Sequence, residues 1–157
     1  MIVGARPATL DDLELVAQMA AAAIDELRPL RGGEVWANTD ARTPPILDGL
    51  RRELEADDAA VFVGLIDDAP IGYAAAHDHR LHNDDAMARI TDLYVLPPAR
   101  KVGVGEALIL EIERWASGRG LVALDSLALP GDRDTKNFFE TFGLVARALS
   151  VHRRIES

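Results

Sequence analysis

Cysteine is absent from this chain of 157 residues. That excludes a disulfide framework, a thiol nucleophile and a thiolate metal site. Lysine is nearly absent: only Lys101 and Lys136 occur, and the 26 acidic residues against 17 basic ones leave a net charge of −9. A nucleic-acid-binding surface needs a basic surplus or stripe, so no nucleic-acid partner is expected. No apolar run approaches the roughly 20 residues that cross a bilayer. The segment Met1 to Pro7 lacks the long apolar core of a secretory leader. The expectation is a cytoplasmic protein with no membrane partner. Repeats, low-complexity tracts and linkers are missing as well. What is present, 48% hydrophobic and 27% charged residues, suits one domain over residues 1–157 with a sizeable core.

The periodicities divide the chain into alternating elements. Ile2 to Pro7 reads as a first strand. Thr9 followed by Asp12 reads as an acidic capping box. Leu13, Val16, Ala20, Ile24 and Leu27 then recur at helical spacing. Arg28 to Thr43 reads as an irregular stretch, in which Arg31, Glu34, Trp36 and Asn38 mix an aromatic surface with polar groups. A loop of this length is often a binding lid or a mobile connector. Pro44 or Pro45 can start a second helix through Leu47, Leu50 and Leu54. Ala59 to Ile66 and Ile71 to His79 read as paired strands around the turn Asp67-Asp68-Ala69-Pro70. A strand from Ala88 to Val95 follows, then a helix with Val104, Leu108, Ile112 and Trp115 on one side. Leu121 to Leu129 is a further strand. A helix after Asp132 carries Phe138 and Phe142, and Gly143 stops it. Leu144 to Arg154 reads as the last strand.

The most informative segment runs from Ile90 to Leu108. It is a strand, a turn with Pro97 and Pro98, and a helix entered through Arg100-Lys101-Val102-Gly103-Val104-Gly105. A helix start approached through glycines presents free N–H groups and the positive end of the helix dipole to an anion, commonly a phosphate. The backbone from Val102 to Glu106 would form the cradle, with Arg100 and Lys101 as charged neighbours. Neither Gly-x-Gly-x-x-Gly nor Gly-Lys-Ser/Thr is present, which argues against a dinucleotide-binding or phosphate-hydrolysing domain.

This turn resembles the acyl-CoA-binding motif of the GNAT superfamily of N-acetyltransferases, Arg/Gln-x-x-Gly-x-Gly/Ala. Ile71-Gly72-Tyr73-Ala74 resembles that family's third strand. Asn137-Phe138-Phe139-Glu140-Thr141-Phe142-Gly143-Leu144 resembles its final helix and glycine stop. The resemblance covers essentially the whole chain. It implies an α/β (α+β) fold with a mixed, mostly antiparallel sheet of about six to seven strands and about four flanking helices. Strands four and five would be parallel and splayed. It further implies acetyl-CoA as acyl donor without a metal, and a primary amine of a small molecule or peptide as acceptor, attacking directly in a ternary complex. A homodimer follows by analogy only. The alternative is an acyl-CoA-binding domain without catalysis.

The resemblance also distributes roles. Backbone N–H groups at Leu93 and Val95 would hold the pantetheine and the thioester carbonyl. Asp132 and Asn137 would join the cofactor side. Asp92 is the candidate base, acting directly or through water, or else it orients the acceptor or pairs with an arginine such as Arg89. Strand alternation puts Ile90, Asp92 and Tyr94 on one face, with Tyr94 as a wall of the acceptor site and part of the catalytic set. His77 and His79 share a face of the preceding strand. They could begin a metal site only with a third ligand such as His82, Asp84 or Asp85, and His77 is a second candidate base. Where many family members carry a tyrosine that protonates the leaving thiolate, this chain has Phe139. Asp125 and Ser126 are the nearby polar substitutes.

Overall fold

The computed structural model describes residues 1–156. Its elements in chain order are β1 (Val3–Pro7), α1 (Leu13–Leu27), α2 (Gly33–Ala37), α3 (Ile46–Glu55), β2 (Ala59–Ile66), β3 (Ala69–Arg80), β4 (Ala86–Val95), α4 (Val104–Gly118), β5 (Leu124–Ser126) and α5 (Arg133–Thr141). The strands form one sheet in the order β1-β2-β3-β4-β5. The first three pairings are antiparallel and β4 pairs with β5 in parallel. None of the described helices is long and apolar enough to cross a membrane.

Alternation along the strands builds two cores. Val61, Val63, Tyr73 and Ala75 pack against Leu13, Val16, Met19 and Ala20 of α1 and Leu50 of α3. Their sequence neighbours Phe62, Ala74 and Ala76 turn to the other face and meet Val104, Leu108, Ile109 and Ile112 of α4 and Phe139 of α5. The start of α1 is fixed as the capping pattern predicts: the Asp12 carboxylate accepts from the Thr9 N–H at 2.7 Å. It is also bound by the Arg6 guanidinium at 2.7 and 3.1 Å.

Four details depart from expectation. First, the long stretch after α1 is partly helical, because α2 forms within it. Second, Ala75 pairs with Asp92 while Ala76 pairs with Ile90, so Thr91 is an extra residue on β4. Such a bulge reverses the alternation. Ile90 therefore faces the α4 side, whereas Tyr94 packs on the α1 side. Third, β5 spans only three residues, because it pairs with β4 only over Ala88 to Ile90, before the bulge. Fourth, Leu144 to Arg154 forms no strand, and the sheet has five strands instead of about six to seven. Among the described residues, the last backbone hydrogen bond is from Leu144 N–H to Phe139 O, at 3.0 Å. A ladder needs a partner, and this segment has none among the described residues.

Candidate active site

The turn before α4 holds a run of unused donors. Arg100 N–H bonds to Pro97 O, and the next bonded N–H is that of Ala107, to Gly103 O at 3.0 Å. Among the described bonds, the N–H groups from Lys101 to Glu106 have no acceptor. Lys101 and Gly103 adopt positive φ, 69° and 103°. This left-handed bend aims successive N–H groups into one concavity, the geometry of an anion nest. Gly103 tolerates the bend because it lacks a Cβ. Gly105 is glycine for a further reason: a Cβ there would lie 2.9 Å from Phe138 Cε2 on α5.

Arg100 does not point its charge freely into this turn. Its guanidinium makes two hydrogen bonds to Glu26 of α1, at 2.7 and 2.8 Å. Its Nε donates to Val95 O at 2.8 Å. It also lies over the Tyr94 ring, 5.4 Å from the centroid. Arg100 thus ties the turn to β4 and α1. Lys101, exposed on the turn, is the cation left to meet a phosphate. Glu26 was not legible in the sequence, since it lies 74 residues from its partner on an exposed helical face.

Beyond Ile90, β4 has no strand partner on its β5 side among the described residues. Leu96 N–H bonds to Ile71 O of β3. By alternation, the N–H groups of Val95 and Leu93 face away from β3, into the gap that β5 has left. Two cavities open on this gap. One, of about 620 Å³, is lined by Arg100, Lys101, Gly103, Gly105, Glu106 and the α5 residues Asn137 and Phe138. The other, of about 590 Å³, is lined by Trp36, Asp40, Arg42, His77, Asp92 and Ser126. Leu93, Tyr94, Asp132 and Thr135 belong to both. The turn and the acidic cleft therefore meet at the unpaired stretch of β4. Asp132 caps α5, accepting from Thr135 N–H at 3.3 Å.

Asp92 sits in the second cavity, and its partner is Arg42, not Arg89. Arg42 Nε donates to Oδ2 at 2.8 Å and Nη2 to Oδ1 at 3.0 Å. Tyr73 O–H adds a 2.6 Å bond to Oδ2, and Thr91 O–H a 2.7 Å bond to Oδ1. Four donors fill the four positions of an ionised carboxylate. Arg42 also bridges to Glu53 of α3, its Nη2 at 2.9 Å from Oε1. Burial opposes the Arg42 charge, but Glu53 and Asp92 outweigh it and its pKa is raised. Burial, with Asp92 adding to it, pushes the Tyr73 phenol well above its ordinary value. Burial likewise raises Tyr94, with Glu26 adding and Arg100 opposing. Both phenols keep their protons at neutral pH. Arg42 and Glu53 went unread in the sequence because the network joins residues 11 and 50 positions apart.

The other candidates are largely engaged. Asp125 is held by Arg89 at 3.0 Å and by Arg147. Arg147, then Arg89, keep its carboxyl below the usual range, so it stays ionised. Ser126 O–H donates to Ile90 O at 3.0 Å. His77 Nδ1 lies 2.8 Å from Asp78 O, and its ring centroid is 6.5 Å from that of His79. Among the described residues, no group of three His, Cys, Asp or Glu side chains could hold a metal. Phe139 is buried among apolar neighbours and offers no proton.

With this geometry in view, comparison with known proteins gives a consistent result. A model described as the acetyltransferase (GNAT) family matches residues 24–144. An aminoglycoside N(6')-acetyltransferase type 1 of Salmonella typhimurium is 28% identical over 134 residues, 82% of this chain and 89% of that protein. Among solved structures, AAC(6')-Iy in complex with the bisubstrate analogue CoA-S-monomethyl-acetylneamine superposes with a TM-score of 0.74. It is 19% identical, with 100% of each chain covered. A transcriptional regulator from Bacillus halodurans C-125 superposes with a TM-score of 0.73 at 17% identity, covering 98% of this chain and 100% of that one. At such identities the superpositions establish the fold alone.

Proposed function

The chain belongs to the acetyltransferase (GNAT) family, and from that premise we propose that it transfers an acetyl group from acetyl-CoA to a primary amine of a small, multiply cationic amino sugar. The observation that carries this reading is the meeting of two cavities at Leu93 and Tyr94. One has the donor-rich turn for an anionic pyrophosphate; the other has carboxylates for a cationic acceptor. The similarity to aminoglycoside N(6')-acetyltransferase type 1 supports the acceptor class.

Each need of the reaction has a candidate group. The N–H groups from Lys101 to Glu106, with the Lys101 side chain, suit the phosphates. The N–H groups of Leu93 and Val95 suit the pantetheine and the thioester carbonyl, where donors matter most as negative charge develops. Asp40 and Asp132 line the acceptor cavity without a lysine or arginine in ion-pair contact among the described residues, and can hold ammonium groups. Asp92 is already saturated with donors, so it suits orienting the acceptor indirectly, by holding Arg42 and Tyr73 in place and fixing the β4 bulge, better than taking a proton outright. Tyr94, protonated and placed at both cavities, is the group we assign to the departing thiolate in place of the missing tyrosine at Phe139. Asn137 lies on the rim of the cofactor cavity.

Calorimetric titration with acetyl-CoA, with NAD and ATP as controls, tests the first half. Selective binding of acetyl-CoA is expected; its absence in a folded sample overturns the site. Thiol release with aminoglycosides bearing a 6'-amine or a 6'-hydroxyl tests the second half. Turnover only with the 6'-amine is expected. Acetyl-CoA binding without turnover of any amino sugar removes the acceptor class and leaves the cofactor site standing.

A further inference from the structure

The acceptor cavity carries opposite charge at its two ends. Leu93, Tyr94 and Asp132 line it where it meets the cofactor cavity, whereas His77, Arg89, Asp125 and Arg147 line it alone. This far end is built on one cross-strand row: His77 of β3 pairs with Arg89 of β4, and Arg89 with Asp125 of β5. Ala76 and Ile90 turn towards α4, so their neighbours His77 and Arg89 take the opposite face, that of the cavity.

Near the reacting end, one guanidinium meets two carboxylates: Arg42 stands between Asp92 and Glu53. At the far end the ratio is inverted. Arg89 and Arg147 share the single carboxylate of Asp125, which is buried. Arg147 spends its Nε and one Nη on it. Arg89 spends only one of its five N–H groups among the described bonds, from Nη2 to Oδ2 at 3.0 Å. Arg42 is the reason these donors are spare. It takes both oxygens of Asp92, the carboxylate that Arg89 would otherwise meet three positions along the strand. A guanidinium steadied on one side by a buried carboxylate, with free N–H groups at a cavity wall, is a fixed fork for a second oxyanion.

We propose that this far end binds an acid group of the acceptor, so that the protein also acetylates amines bearing a carboxylate roughly 10 Å from the reacting nitrogen, short peptides with a free C-terminus among them. The separation follows from the strand: Arg89 precedes Leu93 by four positions, and each rises about 3.3 Å, with the bulge shortening the span. An extended tripeptide covers about 10 Å. Its ammonium end would lie towards the acidic end of the cavity and its carboxylate on Arg89. In the transfer, the amine nitrogen bonds the acetyl carbon and the thioester C–S bond breaks. One amine proton passes to the departing sulfur, giving the N-acetyl peptide and the CoA thiol. The inference rests on the acetyl-transfer reading of the site and adds an acceptor class to the amino sugars.

Thiol release with triglycine and with triglycinamide, which differ only in the acid, tests it. kcat/KM should be about tenfold or more higher for triglycine, through KM, as one charge-assisted hydrogen bond supplies. In Arg89→Gln that ratio should fall to about one. Equal values in the wild type, or turnover of neither peptide, overturn the proposal. If amino sugars are turned over in the same assay, the acetyl-transfer reading stands while this one falls. A preference that survives in Arg89→Gln places the acid elsewhere and overturns the assignment. Calorimetry on the wild type with CoA present covers the case of a variant that does not fold. N-acetyltriglycine should bind about tenfold or more tighter than its amide, and equal affinity overturns the proposal.

Discussion

Asp92 accepts four hydrogen bonds from three side chains, and that count separates two roles for it. A general base contributes roughly 10²–10⁴ in rate, so removing one lowers kcat and abolishes the acidic limb of the pH–rate profile. An orienting carboxylate instead governs acceptor affinity. We expect Asp92→Asn to raise the acceptor KM about tenfold and to leave the limb in place; steady-state kinetics against pH will tell them apart. Arg42 is the more sensitive position. Arg42→Ala strands Asp92 and Glu53 without their partner, and breaking a mostly buried ion pair costs about 3–5 kcal/mol. Urea unfolding should show that loss, whereas a stability change under about 0.5 kcal/mol would show that the network is peripheral. Tyr94→Phe should lower kcat by roughly tenfold or more with acetyl-CoA affinity unchanged. Acid sensitivity belongs to the residue scale as well. Asp12, held by Arg6, and Asp125, held by Arg147, have depressed pKa values. Below about pH 5 the unfolded chain begins to bind protons, with its aspartates near 3.9, while the folded state still refuses them. The stability these groups give is full above that range and is lost as pH falls through their folded pKa values. Thermal melts should therefore fall steeply towards about pH 3, and Asp12→Asn should melt lower at neutral pH but with a flatter acid slope.

At the scale of elements, the turn before α4 was legible because its chemistry is local. Glycine at positive φ and the free N–H groups of a helix start follow from adjacent residues. The capping of α1 and the two-sided packing of β2 and β3 were legible for the same reason. The β4 bulge was not, since one extra residue at Thr91 has no signature in the pattern of apolar side chains. The ends of the sheet were not either: Leu121 to Leu129 and Leu144 to Arg154 have strand patterns, but a strand exists only where a partner lies alongside. Arg42 and Glu26 were missed because charged pairs between distant segments leave no spacing to read. The turn itself yields a prediction that divides packing from binding. Gly105→Ala places a Cβ against Phe138 and should cost about 1–3 kcal/mol, which Phe138→Leu relieves, while acetyl-CoA affinity changes little. Gly105→Glu should abolish that affinity by bulk and charge. Unchanged acetyl-CoA affinity in Gly105→Glu, measured by calorimetry, would remove the phosphate cradle from this turn.

For the whole molecule, a net charge of −9 acts on the two substrates with opposite sign. Most arginines in the structure are matched to a carboxylate, including Arg42, Arg89, Arg100 and Arg147. The surplus is therefore negative charge, and Asp40 and Asp132 bring part of it to the acceptor cavity. A field of this kind raises the encounter rate of a cation and lowers that of an anion. Salt weakens both effects, because the Debye length falls from about 30 Å at 0.01 M to about 8 Å at 0.15 M. Over that range kcat/KM for a polycationic amino sugar should fall about tenfold or more, within the 10–10³ span of steering effects. For a monoamine of similar size the fall should be much smaller. For acetyl-CoA, an anion, kcat/KM should stay level or rise. The local cation at Lys101 offsets the general repulsion only within the turn, so it sets affinity once the donor has arrived and does little for its approach. If all three respond alike to salt, the acidic surface serves solubility alone, and acceptor choice rests on the short-range contacts of the cleft.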